Sequence, residues 1–361
     1  MPKRPRILSL ATALAPHKYE QRDMLTAARE YLLGSDWAER PDAAERAHLI
    51  ERLFIGSQVQ RRQSVVDLRA FYARPRSTGE RMAAYQPAAY QLSRAAMEQC
   101  LAHSDRRGAG DITDFLSVSC TGYGAPGLDI ELARDLGLPR QVRRVAIGHM
   151  GCFGALVGLR QALAIVQAQP TATAALLSVE LPSLHFAASL DAEILTSFAL
   201  FGDAAAALLV GMEDAGAGPE IVTSYCAADF ESANQMSWTI GDQGFVMGLS
   251  PRVPVTLRRN IVGVIAQLLA PLGLSSHEIT HWIIHPGGPS ILDAIQGKLE
   301  LTDDQMRHSW QVLREHGNCS SATVLLILDR LLRSGQTRAG EWGVMMAFGP
   351  GLTLETCLLR F

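Results

Sequence analysis

The sequence predicts an α/β protein in which short buried strands alternate with helices along two successive halves of the chain. Three observations predict it. Apolar runs at 114–120, 142–148, 174–180, 204–210 and 279–284 are too short for helices and are separated by segments with apolar residues at helical spacing. Several runs end in glycine turns, as at Thr121-Gly122-Tyr123-Gly124 and His285-Pro286-Gly287-Gly288. No Gly/Ser/Pro linker divides the chain, apart from a soft spot at Asp214-Ala215-Gly216-Ala217-Gly218-Pro219, so the expected units are 1–215 and 216–361.

Element by element, the basic residues Lys3, Arg4 and Arg6 precede an apolar stretch at 7–15 that ends before Pro16. A secretory signal has this outline, but the run is at the short end for a signal core and reads as a first buried strand. Residues 19–105 are expected to be mainly helical, with patterned segments at 20–33, 42–55 and 86–103. Beyond the strand at 114–120 come a helix at 127–136, a strand at 142–148 and a long helix at 153–167 opening beside Cys152. Strands at 174–180 and 204–210 complete the first half. In the second, a helix at 255–270, a strand at 279–284, helices at 290–298 and 320–333, and two strands flanking Phe348-Gly349-Pro350-Gly351 are expected.

Composition narrows the class. Hydrophobic residues make up 48% and charged residues 19%, the make-up of a compact enzyme rather than a disordered chain. A net charge of -3 argues against nucleic acid as the main partner, since phosphate backbones demand a basic surplus. Arg52, Arg61, Arg62, Arg69, Arg74, Arg76 and Arg81 cluster locally; a solvated helix face is the plainer reading, and a patch for a phosphate-bearing ligand such as CoA the sharper one. No run approaches the ~20 apolar residues of a membrane span. The six cysteines are scattered without metal-site spacing, so free thiols in a cytoplasmic protein are expected.

One of those thiols is placed for chemistry. Cys152, in His149-Met150-Gly151-Cys152-Phe153-Gly154, lies between a strand end and a helix start, where unpaired N–H groups favour thiolate. A buried core cysteine is the competing reading. His285 stands at a strand's C-terminal edge before a glycine turn, a position facing a cleft in open α/β sheets, although a lone histidine is usually structural. Asn318 follows Gly317 in a helix N-cap context, and simple capping would account for it.

Taken in order, these segments resemble a known family. Gly151-Cys152-Phe153, Leu200-Phe201-Gly202-Asp203-Ala204, His285-Pro286-Gly287-Gly288-Pro289, Gly317-Asn318 with Ser320-Ser321-Ala322, and Phe348-Gly349-Pro350-Gly351-Leu352-Thr353 match the type III polyketide synthases, the chalcone-synthase-like enzymes, from about residue 7 onward. The resemblance implies a thiolase-like fold of two similar halves in five αβαβα layers, a homodimer, no metal and no bound redox cofactor. It implies CoA thioesters as substrates, an acyl-CoA starter and a malonyl-CoA extender. Cys152 would carry the acyl chain, His285 and Asn318 would be its partners, and Phe201 would gate the passage from CoA tunnel to reaction cavity.

The resemblance also marks departures. Met247 stands where plant enzymes have a second gating phenylalanine; Cys120 replaces a pocket threonine, Pro182 and His185 replace threonines, and Trp238 replaces a glycine. Ser320 completes the implied cavity set. Of the basic residues that grip CoA, Arg52 alone aligns, with Leu49 and Gly56 at its neighbours' places, while Ser290 lies at another CoA contact. These features look bacterial. The expected product is an alkylpyrone or alkylresorcinol built on an acyl-CoA starter. The alternatives are a malonyl-primed tetrahydroxynaphthalene or phloroglucinol, a ketoacyl-ACP synthase III-like condensing enzyme, or a catalytically silent scaffold.

Overall fold

The computed structural model describes residues 3–34 and 42–361. The apolar stretch at 7–15 forms the first strand, β1 (Arg4–Leu14), placed in mid-sheet between two neighbours. Next come β2 (His17–Glu20), α1 (Gln21–Leu33), α2 (Ala43–Gly56), β3 (Arg61–Ser64), α3 (Leu68–Phe71) and α4 (Thr78–Ala102). The expected helical region thus also holds a small β2–β3 ribbon, and α4 starts earlier than its pattern indicated. Ser77 caps α4 through the Glu80 N–H, and Glu80 reaches back to the Ser77 N–H.

Five further pairs of elements follow: β4 (Asp114–Ser119) and α5 (Leu128–Asp135), β5 (Arg143–Gly148) and α6 (Gly154–Ala168), β6 (Thr173–Glu180) and α7 (Ala192–Leu200), β7 (Ala204–Glu213) and β8 (Glu220–Ala228), then the hairpin β9 (Met236–Gly241) and β10 (Gly244–Leu249). The chain ends with α8 (Val253–Leu269), β11 (Ile279–Ile284), α9 (Pro289–Leu299), α10 (Asp303–His316), α11 (Thr323–Arg333), β12 (Trp342–Gly349) and β13 (Thr353–Arg360).

The large sheet runs β11-β12-β13-β8-β1-β7-β6-β4-β5. Its two parts meet at one bridge, Arg6 to Glu220, so they behave as two sheets hinged at their edges. Helices α4 and α5 pack on one, α8 and α10 on the other, and α6 and α11 lie between, touching strands of both. The result is five layers, αβαβα. Strands inside this stack are covered on both faces, so β6 and β7 read as continuous apolar runs with every or nearly every residue buried. The central helix approaches closely: a Cβ on Gly158 of α6 would lie 2.5 Å from Leu176. Contrary to the expectation that no run approaches a membrane span, the stretch Val253–Leu272 is long and apolar enough to cross one by length and composition. Here its α8 portion buries Val253, Leu257, Ile261, Ile265 and Leu268 against the sheet, the pattern of an amphipathic core helix.

Candidate active site

Cys152 sits just before α6 in a turn that Gly151 enters with φ +79°, and its side chain is buried. Its Sγ lies 4.0 Å from Asn318 Oδ1. Burial pushes the thiol up to about 12, with contacts to Ser320 and Asn318 pulling weakly the other way and the Glu180 carboxyl adding to the rise. Burial thus opposes the stabilisation of thiolate that the helix start offers.

Asn318 is fixed at both its backbone and its side chain. Its N–H donates to Leu200 O (2.8 Å) and its carbonyl accepts from Gly202 N–H (3.1 Å), so it forms a short parallel bridge with Phe201. Its Oδ1 accepts the Ser320 N–H at 2.8 Å. The capping reading is therefore partly right, but the cap uses only the oxygen and leaves the amide NH2 as a donor.

His285 follows β11, is fully buried, and packs edge-on against Phe348 with ring centroids 5.8 Å apart. Its backbone N–H donates to Met346 O, while among the described residues neither ring nitrogen has a hydrogen-bond partner. Burial lowers its pKa to about 3. His285 is thus a neutral imidazole, and it is bonded to neither Cys152 nor Asn318.

Two spaces lie at the site; Phe201 lines the inner one and its neighbour Leu200 the outer. The outer is a groove of about 390 Å³ lined by Arg52, Leu53, Leu200, Pro251, Gly288 and Ser290, so the two residues assigned to CoA come together. Its acidic lining residue is Glu193, whose carboxylate accepts the Leu249 N–H. The inner is a cavity of about 20 Å³ bounded by Cys152, Phe201, Cys120, Pro182, Trp238, Met247 and Ser320, together with Met236, Thr121, Gly151 and Pro350. It has room for about one water molecule.

The walls of the cavity are tied together. Trp238 and Met247 face each other across the β9–β10 hairpin, and the indole N–H of Trp238 donates to Cys120 O at 2.7 Å. His185 does not line the cavity, contrary to expectation. It stacks on Phe245 behind the wall, with Nδ1 accepting the Phe245 N–H (3.0 Å) and Nε2 2.6 Å from Thr121 O. The first bond requires the proton to be on Nε2.

Below the thiol lies Glu180, which the sequence did not single out. Its carboxyl receives Cys120 N–H at 3.0 Å, the Thr121 hydroxyl at 2.8 Å and the Ser321 hydroxyl, and burial raises its pKa to about 7. Arg62 and Arg81 were also misread: both are 1% exposed and lie in the interior rather than on a solvated helix face.

Sequence profiles of the chalcone and stilbene synthases match nearly the whole chain, the N-terminal domain over residues 8–214 and the C-terminal domain over 222–361. The chain belongs to this family. It is a type III polyketide synthase with the thiolase-like fold. Among its relatives, 1,3,6,8-tetrahydroxynaphthalene synthase of Streptomyces peucetius subsp. caesius is 34% identical, over 98% of this chain and 93% of that one. The 3,5-dihydroxyphenylacetyl-CoA synthase of Streptomyces toyocaensis is 30% identical, over 100% and 91%. Among solved structures, a polyketide synthase of the brown alga Ectocarpus siliculosus superposes with a TM-score of 0.91 at 26% identity, covering 100% of this chain and 99% of that one. The tetrahydroxynaphthalene synthase of Streptomyces coelicolor A3(2) gives 0.89 at 26%, covering 99% of each. In this type III synthase the cysteine, histidine and asparagine segments lie on three separate elements, with Asn318 Oδ1 4.0 Å from the buried Cys152 thiol.

Proposed function

We propose that this synthase joins malonyl units through Cys152, His285 and Asn318 and releases a small aromatic product. Cys152 takes the starter acyl group from its CoA thioester, and the neutral imidazole of His285 accepts the thiol proton as the C–S bond forms. The CoA thiolate leaves as the acyl group transfers and takes the proton back from His285. Malonyl-CoA then enters past Phe201. As its carboxylate leaves as CO2, charge develops on the thioester oxygen, which receives hydrogen bonds from His285 and the Asn318 amide. The enolate carbon attacks the Cys152 thioester, the thiolate leaves, and the lengthened chain on CoA returns to Cys152 for another round.

The names of the two Streptomyces relatives carry the product reading: both are of small hydroxylated aromatics, which favours a malonyl-primed oligoketide such as a tetrahydroxynaphthalene or phloroglucinol over an alkylpyrone or alkylresorcinol. Trp238, Met236, Met247 and Pro182 line the cavity beside Cys152 and limit its size. Arg52 and Ser290 would hold the CoA arm in the outer groove.

The synthase is further proposed to act as a cytoplasmic homodimer. Strand β5 is the sheet's outer edge, with residues 143–146 exposed, and Tyr123, Ile130, Val145 and Met150 add apolar surface. An exposed edge of this kind is a template for pairing with a second copy.

Mass spectrometry of the protein after incubation with malonyl-CoA and a panel of acyl-CoA starters tests the assignment, beside Cys152→Ala. Adducts on Cys152 and aromatic products from malonyl-CoA alone, both lost in the variant, are expected. Turnover only with carrier-bound acyl groups, or unchanged turnover in Cys152→Ala, would overturn it.

A further inference from the structure

One buried cation takes no part in the chemistry above, yet it grips the segment that carries the gate. The guanidinium of Arg62 on β3 donates to Phe198 O (2.7 Å), Ala199 O (2.7 Å) and Phe201 O (3.0 Å), and also to Gln21 Oε1. The first two acceptors are carbonyls at the end of α7, an ordinary place for a cationic cap. The third belongs to Phe201, past the helix end. Burial lowers the pKa of Arg62 to about 9, with Asp203 opposing the fall, so the group stays charged at neutral pH.

The same segment is held from two other sides. Asp203 N–H donates to Gln63 O at 3.0 Å, and Asn318 brackets Phe201 through Leu200 O and Gly202 N–H. The crossing is tight. A Cβ on Gly202 would lie 2.4 Å from His316 O and 3.2 Å from Arg62 Cβ, and one on Gly317, at φ +71°, would lie 2.4 Å from Leu200 O. Gln21 closes the clamp, its amide donating to Ala199 O (3.0 Å) and Phe54 O (3.1 Å).

We infer that Arg62 is a positioning residue: through the carbonyls of residues 198–201 it sets Phe201 and the Asn318 amide in one fixed arrangement. This rests on the proposed roles of Phe201 and Asn318. Starter loading and extension both pass Phe201, but loading uses the Cys152 thiol without the Asn318 donor, whereas decarboxylation and condensation need that donor. Loosening the clamp should therefore separate the two steps.

The experiment compares Arg62→Lys, Arg62→Met and Gln21→Ala with the unaltered protein in two assays: single-turnover acylation of Cys152 by a starter CoA, and steady-state decarboxylation of malonyl-CoA. A misplacement of about 1 Å can cost roughly 10²-fold in rate. Arg62→Met is expected to lose decarboxylation on that order while keeping acylation within roughly threefold. Arg62→Lys should recover part of the loss, and Gln21→Ala should show a smaller one in the same direction. Should Arg62→Met fail to fold, the two milder variants carry the comparison. Equal proportional losses in both assays, or none in Arg62→Lys and Gln21→Ala, would overturn the inference. Absence of Cys152 acylation in the unaltered protein would instead overturn the reading beneath it.

Discussion

The indole N–H of Trp238 donates to the carbonyl of Cys120 at 2.7 Å, fastening the β9–β10 hairpin to the strand-end turn on the far side of the reaction cavity. One side chain thus both fills the cavity and ties its walls together. The two roles separate by substitution. Trp238→Ala should open the cavity and admit longer acyl-CoA starters, at a stability cost of about 3 kcal/mol for the lost packing. Trp238→Phe keeps most of the volume and should cost about 1 kcal/mol through the lost hydrogen bond. Product profiles by liquid chromatography and urea denaturation midpoints check both, and an unchanged starter range in Trp238→Ala would defeat the size argument.

Asn318 offers its oxygen to Ser320 and, in the proposed mechanism, its NH2 to the reaction; Asn318→Asp tests that division. The carboxylate can still accept the Ser320 N–H, so the local turn should survive, while the donor is replaced by a negative charge. Malonyl-CoA decarboxylation is expected to fall by about 10²–10³-fold. Acylation of Cys152 by a starter should persist. Both are read from CO2 release and intact-protein mass; a variant that decarboxylates normally would remove Asn318 from the mechanism.

His185 supplies a pH-dependent component of stability. Burial lowers its pKa from 6.5 to about 4, so between these values the unfolded chain binds a proton that the folded chain does not. The contribution is complete above pH 6.5 and is lost as pH falls through about 4. Glutamine can keep one donor and one acceptor at this place without titrating. Relative to His185→Gln, the unaltered protein should lose about 2–3 kcal/mol on going from pH 7 to pH 4. Denaturation curves across that interval give the answer, and parallel losses in the two proteins would exclude His185 as the source.

Strand β5 leads to a prediction about assembly. Val145 is 40% and Met150 39% exposed at the sheet edge and the turn beyond it. Lysine at both places should leave each copy folded but shift the sedimentation profile from dimer to monomer. Retention of the dimer in the double variant would place the interface elsewhere.

How much of this could be read from the chain depends on what each residue's neighbours are. Strands covered on both faces, such as β4, β6 and β11, are written as local apolar runs and were legible. The candidate site residues stand out as ordered motifs: Gly151 precedes Cys152, Gly317 precedes Asn318, and Gly287 follows His285 by two residues at a strand end. Helix α10 was missed although Thr302 and Gln305 spell a capping box, with the Thr302 hydroxyl 3.3 Å from the Gln305 N–H. The β9–β10 hairpin was missed for a different reason. Its alternation is broken by polar residues, and its register with the Cys120 turn is set by Trp238 and Phe245 contacts that have no local sequence trace. Arg62 is the clearest case. Nothing in a run of arginines distinguishes a solvated side chain from one enclosed by backbone carbonyls far along the chain.

The two helices at the centre of the five layers begin beside Cys152 in one case and close after Asn318 in the other. In the proposed mechanism each half of the molecule therefore brings one end of the reaction and lacks the other. A polypeptide cut near residue 215 would yield one fragment with a thiol but no donor, and another with donors but nothing to acylate. Activity regained on mixing such fragments would measure their reassembly directly, since no residual turnover from either alone could obscure it.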